Sequence, residues 1–369
     1  MKRKIVLLIL LISILLSACG ASPDGNSIGS AHKNVEGNIT VYFIDVGQSD
    51  AALILQGGHA MLIDGGDASS SNKIYSFLKE LNITHLDYIV ATHAHAEHVG
   101  GLSGALNYAS AGVVFCPVTS YNTRTFENFI KYVHEQGKEI TVPKAGDKFT
   151  LGSAEVTVLN PISPASGENH TNDDSIVLRI VFGDTSFLFT GDAERAAEAA
   201  ILDSGYDLSS TVLKVGHHGS DTSTSYPFLR EVMPEYAVIS CGKDNMYGHP
   251  HENLLSRLRD ADVQVFRTDM QGTITCISDG KTVTFQTERN ADIKTNPTEK
   301  ADQAGQIESN TVIPPEMGAD GTYYIGNVNT HKFHKPDCPG LPIEKNRIYF
   351  ATRETAIDEG YTPCGICNP

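Results

Sequence analysis

The run Thr92-His93-Ala94-His95-Ala96-Glu97-His98-Val99-Gly100-Gly101, directly after the apolar stretch Leu86, Tyr88, Ile89, Val90 and Ala91, narrows what this chain can become more than any other feature. It packs three imidazoles and one carboxylate into six residues at the end of a predicted strand. Neutral imidazole nitrogen and carboxylate oxygen both suit a divalent ion such as zinc. Alternate side chains share one side of an extended backbone, so His93 and His95 can serve one metal. Glu97 and His98, at the turn into the next helix, can face a second. Solvated loop histidines are the plain alternative, and the density and placement of the cluster weigh against it.

Around that run, short β-like segments alternate with helical ones. Strands are predicted at 39–45, 51–55, 60–64, 86–92, 112–116, 154–160, 175–182, 186–190, 211–215, 236–241, 263–267, 272–278 and 282–286. Helices are predicted at 73–81, 101–109, 125–136, 193–204, 225–232 and 252–260. Many short strands with interposed helices suit an α+β fold of two packed sheets with helices outside, a four-layer αββα sandwich. With 369 residues, 40% of them hydrophobic and 20% charged, the chain can hold a large globular unit plus an appendage.

The His93–His98 run resembles the HxHxDH signature of the metallo-β-lactamase superfamily, and Gly100-Gly101 matches its continuation. Glu97 stands where that signature has Asp, and its extra methylene should displace the second metal or alter how it is held. Phe187-Leu188-Phe189-Thr190-Gly191-Asp192 resembles the family's strand ending in Gly-Asp, which implies that Asp192 bridges both metals; capping of the next helix is compatible with that role. Leu213-Lys214-Val215-Gly216-His217-His218-Gly219-Ser220 places two histidines after another strand. One of them is expected to complete the second metal site, His218 ahead of His217, leaving the other to touch substrate. His249, opening a helix in Tyr247-Gly248-His249-Pro250-His251, is expected as a substrate contact or general acid, or as a helix-entry histidine without a role. For the remaining ligand of the first metal, His170 and Asn172 both lie just before a strand. Glu97, Asp192, His217 and His249 are thus the expected catalytic groups.

Within the superfamily the chain resembles the hydrolase domain of the DNA-internalisation protein ComEC and its free-standing relatives. Phe43-Ile44-Asp45-Val46-Gly47-Gln48-Ser49-Asp50-Ala51 is similar to that group's DVGQGDA run, with Ser49 replacing a glycine. The likeness continues in Leu62-Ile63-Asp64-Gly65-Gly66, in Asn172-Asp173-Asp174-Ser175-Ile176-Val177-Leu178, in His217-His218-Gly219-Ser220, and in Phe266-Arg267-Thr268-Asp269-Met270-Gln271-Gly272.

The N-terminus reads as a secretion signal: Met1-Lys2-Arg3-Lys4, an apolar run over 5–16, then Leu16-Ser17-Ala18-Cys19, similar to a bacterial lipobox. The expected organisation is a signal peptide over 1–18, a lipidated Cys19 heading a flexible tether over 19–37, a hydrolase domain over 38–287, a polar linker over 288–320 and a small domain over 321–369. An uncleaved anchor is the alternative. Either reading puts the protein outside the cytoplasm, at the outer face of the membrane, with the membrane as partner through the lipid anchor and no obligate protein partner. The net charge of −16 excludes a general electrostatic pull on nucleic acid, so a polyanionic substrate needs local positive charge at the site.

In the last segment, Cys364-Gly365-Ile366-Cys367 pairs with His334 and Cys338, spaced His-x3-Cys, as a closed Cys3His zinc site. A disulfide is the alternative in an oxidising exterior, although three cysteines cannot all pair among themselves. The segment resembles the Ada-type zinc-binding module, attached to some secreted nucleases. Cys116, Cys241 and Cys276 sit in apolar β-like runs as buried thiols.

These readings imply an exported hydrolase holding two divalent ions, zinc or manganese, that activate water, plus one structural zinc. The resemblances point to phosphodiesters, DNA or another such polymer among them. A cell-envelope phosphodiester of the phosphorylcholine type, a lactone or other ester, or a non-catalytic surface protein that displays DNA or wall polymer remain the alternatives.

Overall fold

The computed structural model describes residues 37–162, 172–297, 323–328, 330–342 and 346–369. The expected signal peptide, Cys19, the tether up to residue 36, His170 and most of the expected linker lie outside the described residues.

An eight-stranded sheet has the order Val283–Thr287, Ile274–Ser278, Ile39–Phe43, Ala52–Gln56, His59–Ile63, His85–Val90, Ser110–Phe115, Ile140–Thr141. A seven-stranded sheet has the order Gln264–Arg267, Tyr236–Ile239, Val212–Lys214, Thr185–Phe189, Val177–Phe182, Ala154–Asn160, Lys148–Leu151. Period-two alternation sorts the side chains. Ile39, Val41 and Phe43, with Ile54 of the adjoining strand, face the other sheet, where they meet Val156, Ile180, Phe187 and Val238. Their neighbours Tyr42, Leu53 and Leu62 turn to the opposite side, against helices Ser71–Glu80, Leu102–Tyr108 and Arg124–Glu135. A third buried layer, with Leu188, Leu213 and Ala237, lies under helices Arg195–Ser204, Tyr226–Val232 and Glu252–Asp260. Three apolar layers thus separate four layers of secondary structure, the αββα sandwich expected from the strand and helix pattern.

Local sequence explains the outer helices. Phe126, Phe129 and Val133 recur at helical spacing and are buried, while the Thr123 hydroxyl accepts from Phe126 N at the start. Ser225 caps the next example in the same way, with Pro227 in its first turn. The strand bounds agree with the predicted ones to within a few residues, but Ile140–Thr141 and Lys148–Leu151 were not foreseen. Both are short edge strands, too brief for alternation to show.

Topology sets the site. His59–Ile63, His85–Val90 and Ser110–Phe115 pair in parallel in one sheet, and Thr185–Phe189, Val212–Lys214 and Tyr236–Ile239 in the other. Their C-terminal ends therefore share an edge, and the loops leaving them carry Asp64, residues 92–98, Asp192, residues 217–218 and residues 240–249. Ile176 N donates to Thr92 O at 2.8 Å, fastening the two sheets there.

Residues 288–297, the described start of the expected linker, are fastened to the large unit near their end. Thr295 is buried with its hydroxyl on the Val265 carbonyl, and Asn296 Nδ2 donates to Leu255 O at 3.0 Å. Polar side chains that bond to backbone hold this stretch, which composition alone cannot distinguish from a solvated one. The C-terminal segment forms its own sheet, Arg347–Phe350, Tyr324–Asn327, Lys332–His334, Thr362–Pro363, over a small core of Phe333, Phe350, Ala356 and Tyr361. It meets the large unit at Asp260, the last residue of a helix: the buried carboxylate accepts from Tyr226 Oη at 2.5 Å, Asn327 Nδ2 at 2.7 Å and Thr330 Oγ1 at 2.9 Å. Among the described residues no helix is long and apolar enough to cross a membrane.

The turn carrying the histidine cluster packs backbone to backbone on the Asp64 loop. A Cβ at Gly101 would lie 1.9 Å from the Gly65 carbonyl oxygen. Gly101→Ala is expected to cost about 1–3 kcal/mol of stability, read as a lower urea midpoint at constant slope. An unchanged midpoint would contradict this packing.

Candidate metal centre

Each donor is aimed by a partner behind it. The Asp64 carboxylate takes Thr92 N at 2.8 Å and the Thr92 hydroxyl at 2.7 Å, and lies 2.9 Å from His98 Nδ1. With Nδ1 donating to Asp64, the other ring nitrogen of His98 is left as a donor for a cation, 3.3 Å from Asp192 Oδ2. Asp192 leaves its strand through Gly191, whose φ of +51° only glycine adopts readily and whose Cβ would stand 2.9 Å from Thr92. Ser175 Oγ accepts a hydrogen bond from Asp192 N at 3.0 Å, fixing the start of that loop. His217 and His218 both sit at left-handed φ, 48° and 53°, so a one-turn excursion points two consecutive imidazoles at the site. His218 is buried, its Nδ1 3.2 Å from both Ser240 O and Asp50 Oδ1 and its Nε2 3.6 Å from Asp192 Oδ2. Asp50 is held from the far side by Lys214 Nζ at 2.9 Å.

Three donor groups converge here: His93 with His98 and Asp192, Asp50 with Asp64 and His98, and Asp50 with Asp192 and His218. In each, the ligand atoms lie within 4.8 Å of one another. Asp50 Oδ1, Asp192 Oδ1, His98 Nε2 and His218 Nε2 are all buried without a hydrogen-bond partner. A buried polar atom left so costs about 1–3 kcal/mol. Four of them facing one another therefore fit bound cations. The carboxylates draw positive charge into the site, and without a cation a proton on His98 answers them. Burial opposes charge on His98, but Asp192 and Asp64 outweigh it and hold the imidazole well above its ordinary range. Burial likewise acts to raise Asp192, and His98 and His218 overcome it and hold the carboxyl well below the usual range. Burial, and then the His98 charge, push His93 well down, keeping it a neutral donor.

The expected residues divide. His93, His98, Asp192 and His218 come together. His95 is half-buried with Nδ1 3.0 Å from His93 Nε2, adjacent to the groups rather than within them. Glu97 is a correction: it is partly exposed and its carboxylate belongs to none of the converging groups among the described residues. Adjacent side chains on a helix diverge by about 100°, so in Ala96–Val99 the turn that buries His98 carries Glu97 off the site. Asp50 supplies a carboxylate instead, and Asp64 orients His98. Asn172 lies at the margin, its Nδ2 3.3 Å from Glu194 Oε1 and 3.4 Å from His217 Nε2, with its Oδ1 buried and unpartnered. His217 is a quarter exposed. Its Nδ1 lies 2.9 Å from Glu194 Oε1 and its Nε2 3.9 Å from Asp192 Oδ2, so Glu194, not foreseen, orients it. His249 reaches the mouth of the site, with Nδ1 3.1 Å from Gln48 Nε2 and its ring 5.6 Å from that of His217. Burial, then the neighbours His251 and His217, push its imidazole down to about 4, so at neutral pH it is an uncharged contact.

A second cluster joins His334, Cys338, Cys364 and Cys367 in the small domain, with His334 Nε2 buried and unpartnered. The Cys338 hydrogen bond leads the effects that pull the Cys364 thiol down to about 3, and the shared proton pushes Cys338 strongly up. None of the described cysteines is in a disulfide. Three sulfurs and one imidazole nitrogen are the donor set of a closed structural zinc. Cys116 and Cys276, pushed up to about 12 by burial, are inert thiols.

Fold and site together define a protein of four-layer sandwich architecture with a candidate metal centre and a Cys3His module attached. The chain belongs to the metallo-beta-lactamase superfamily, which its residues 44–243 match, and residues 310–369 match the metal binding domain of Ada. It is similar to ComE operon protein 3 of Bacillus subtilis, 31% identical over 252 residues, which covers 63% of this chain and 32% of that protein. Competence protein ComA of Neisseria gonorrhoeae is 30% identical over 241 residues, covering 65% of this chain and 32% of that one. The chain thus spans about a third of these relatives' length. The metallo-beta-lactamase fold protein YhfI from Bacillus subtilis aligns with 66% of this chain and 100% of its own, at 14% identity and a TM-score of 0.46.

Asp192 takes part in two of the three donor groups. Whole-chain metal analysis should show Asp192→Ala stripping the hydrolase cluster, Cys364→Ser stripping the module, and the double variant losing both. Equal metal in Asp192→Ala and wild type would defeat the assignment.

Proposed function

We propose that the chain is an exported, lipid-anchored phosphodiesterase acting on nucleic acid, with two divalent ions in the hydrolase unit and one structural zinc in the module. The convergence of buried, unpartnered imidazole and carboxylate atoms of His98, Asp192, Asp50 and His218 carries the hydrolase reading. The likeness to competence proteins, the Ada-type module and the lipobox-like start support the substrate and location.

In this reading His93, His95, His98, Asp192, Asp50 and His218 hold the ions, and bound there a divalent pair supplies Lewis acidity and makes water a nucleophile near neutral pH. Asp64 and Thr92 fix the orientation of His98, and Lys214 balances the charge of Asp50. Hydrolysis replaces the ester P–O bond with one from water, and the departing oxygen takes up a proton. His217, held through Nδ1 by Glu194 with Nε2 turned toward Asp192, is the residue placed to deliver that proton. His249, neutral and anchored by Gln48, contacts the substrate.

The test is hydrolysis of single- and double-stranded DNA, bis-p-nitrophenyl phosphate and a lactone panel by the full chain. DNA and the phosphodiester should be cleaved in a chelator-sensitive way. His95→Ala and Asp192→Ala should lower kcat by at least about 100-fold, and His217→Ala by about 10²–10⁴-fold, with circular dichroism unchanged. Lactone hydrolysis alone would move the substrate class. Metal retention and DNA binding without cleavage would make the chain a binding protein.

A further inference from the structure

The loop over residues 242–249 ends beside the donor cluster and carries two side chains that the proposed chemistry does not use. Met246 is 91% exposed and Tyr247 62% exposed. Their backbone is nonetheless firmly fixed. Asn245 Nδ2 donates to Gly242 O at 2.8 Å and His249 O at 2.6 Å, Asn245 Oδ1 accepts from Tyr247 N at 3.2 Å and His249 N at 3.0 Å, and His251 Nε2 lies 3.0 Å from Tyr247 O. Large apolar groups on a mobile tip would mean little, but on a braced loop they are a presented surface.

The Tyr247 ring lies nearly parallel to that of His249, at 5.6 Å between centroids and 26° between planes. His249 in turn stands 5.6 Å from His217 and 6.4 Å from His218. An aromatic series therefore leads from the cluster to the rim and ends in a ring backed on one side and exposed overall. Against the same loop, a cleft of about 830 Å³ is lined by Lys243, Asp244, Arg267, Asp269, Met270 and Arg289. Arg267 and Arg289 are matched by Asp269 and Asp45, whereas Lys243 is an exposed cation on a protein of net charge −16. Proteins grip unpaired nucleotides by stacking a base on an aromatic ring and holding the backbone with a nearby cation, and this one loop carries both residue types.

We propose that Tyr247, backed by His249 and flanked by Met246, is a nucleobase-stacking subsite for the nucleotide next to the scissile phosphodiester, with Lys243 facing the adjoining phosphate. This rests on the phosphodiesterase reading and narrows it to strands whose bases are unpaired, because a base in a duplex has both faces occupied.

The experiment compares an oligothymidylate with an abasic strand of equal length, using the metal-loaded full chain. Stacking is worth about 1–3 kcal/mol per base, so wild type should show a KM at least about fivefold lower for the base-bearing strand. Tyr247→Ala should abolish that preference, while Tyr247→Phe and Tyr247→Trp keep it. Lys243→Ala should raise KM for both strands and flatten their salt dependence. A preference that survives in Tyr247→Ala, or wild-type cleavage of both strands with equal KM, overturns the subsite alone. Failure of wild type to cleave either strand removes the phosphodiesterase reading and the subsite with it.

Discussion

Three carboxylates and three imidazoles, those of Asp50, Asp64, Asp192, His93, His98 and His218, are taken out of water at one edge of the sandwich. Ionised groups so placed are tolerated only when opposite charge or hydrogen bonds reach every atom. The protein meets part of that demand itself, through Lys214 on Asp50 and Thr92 on Asp64. The remainder, the lone pairs of Asp50, Asp192, His98 and His218 that find no partner, is a demand for cations. Much of the surrounding architecture serves to keep that demand concentrated in one place.

The parallel strands deliver the loops to a common edge, but the loops must then approach more closely than side chains allow. Gly101 lies on the backbone of Gly65, and Gly191 on Thr92 and Ser175. At residues 217–218 the chain accepts two successive left-handed conformations without a glycine. Strain of this kind costs about 1–3 kcal/mol per residue and persists only where the surroundings over-determine it. It is spent where it turns two imidazoles toward Asp192.

How much of this could be read beforehand followed from how local each signal was. His93, His95 and His98 announce themselves because donors crowd within a few residues, and Asp192 and His218 because each follows a recognisable strand and glycine. The sandwich was legible because its strands alternate and its helices keep their period. Asp50 and Asp64 were legible only as parts of family-like runs: a single aspartate after a strand also reads as a turn residue, and only the pairing of distant strands reveals what it faces. Glu97 misled for the converse reason, since closeness in sequence suggested closeness to the metal and the helical turn separates it from His98. Glu194 and Lys214 act through other residues, a role that leaves no mark on spacing.

The junction at Asp260 ties the small domain to the large one by a buried carboxylate shared among Tyr226, Asn327 and Thr330. That residue closes the helix Glu252–Asp260, whose other end begins just beyond His249 at the rim of the cleft. A single rigid rod of about 1.5 Å per residue therefore spans from the mouth of the site to the module's anchorage. The module is mounted, not trailed: its Cys3His cluster is held at a set bearing to the rim instead of swinging on a slack leash.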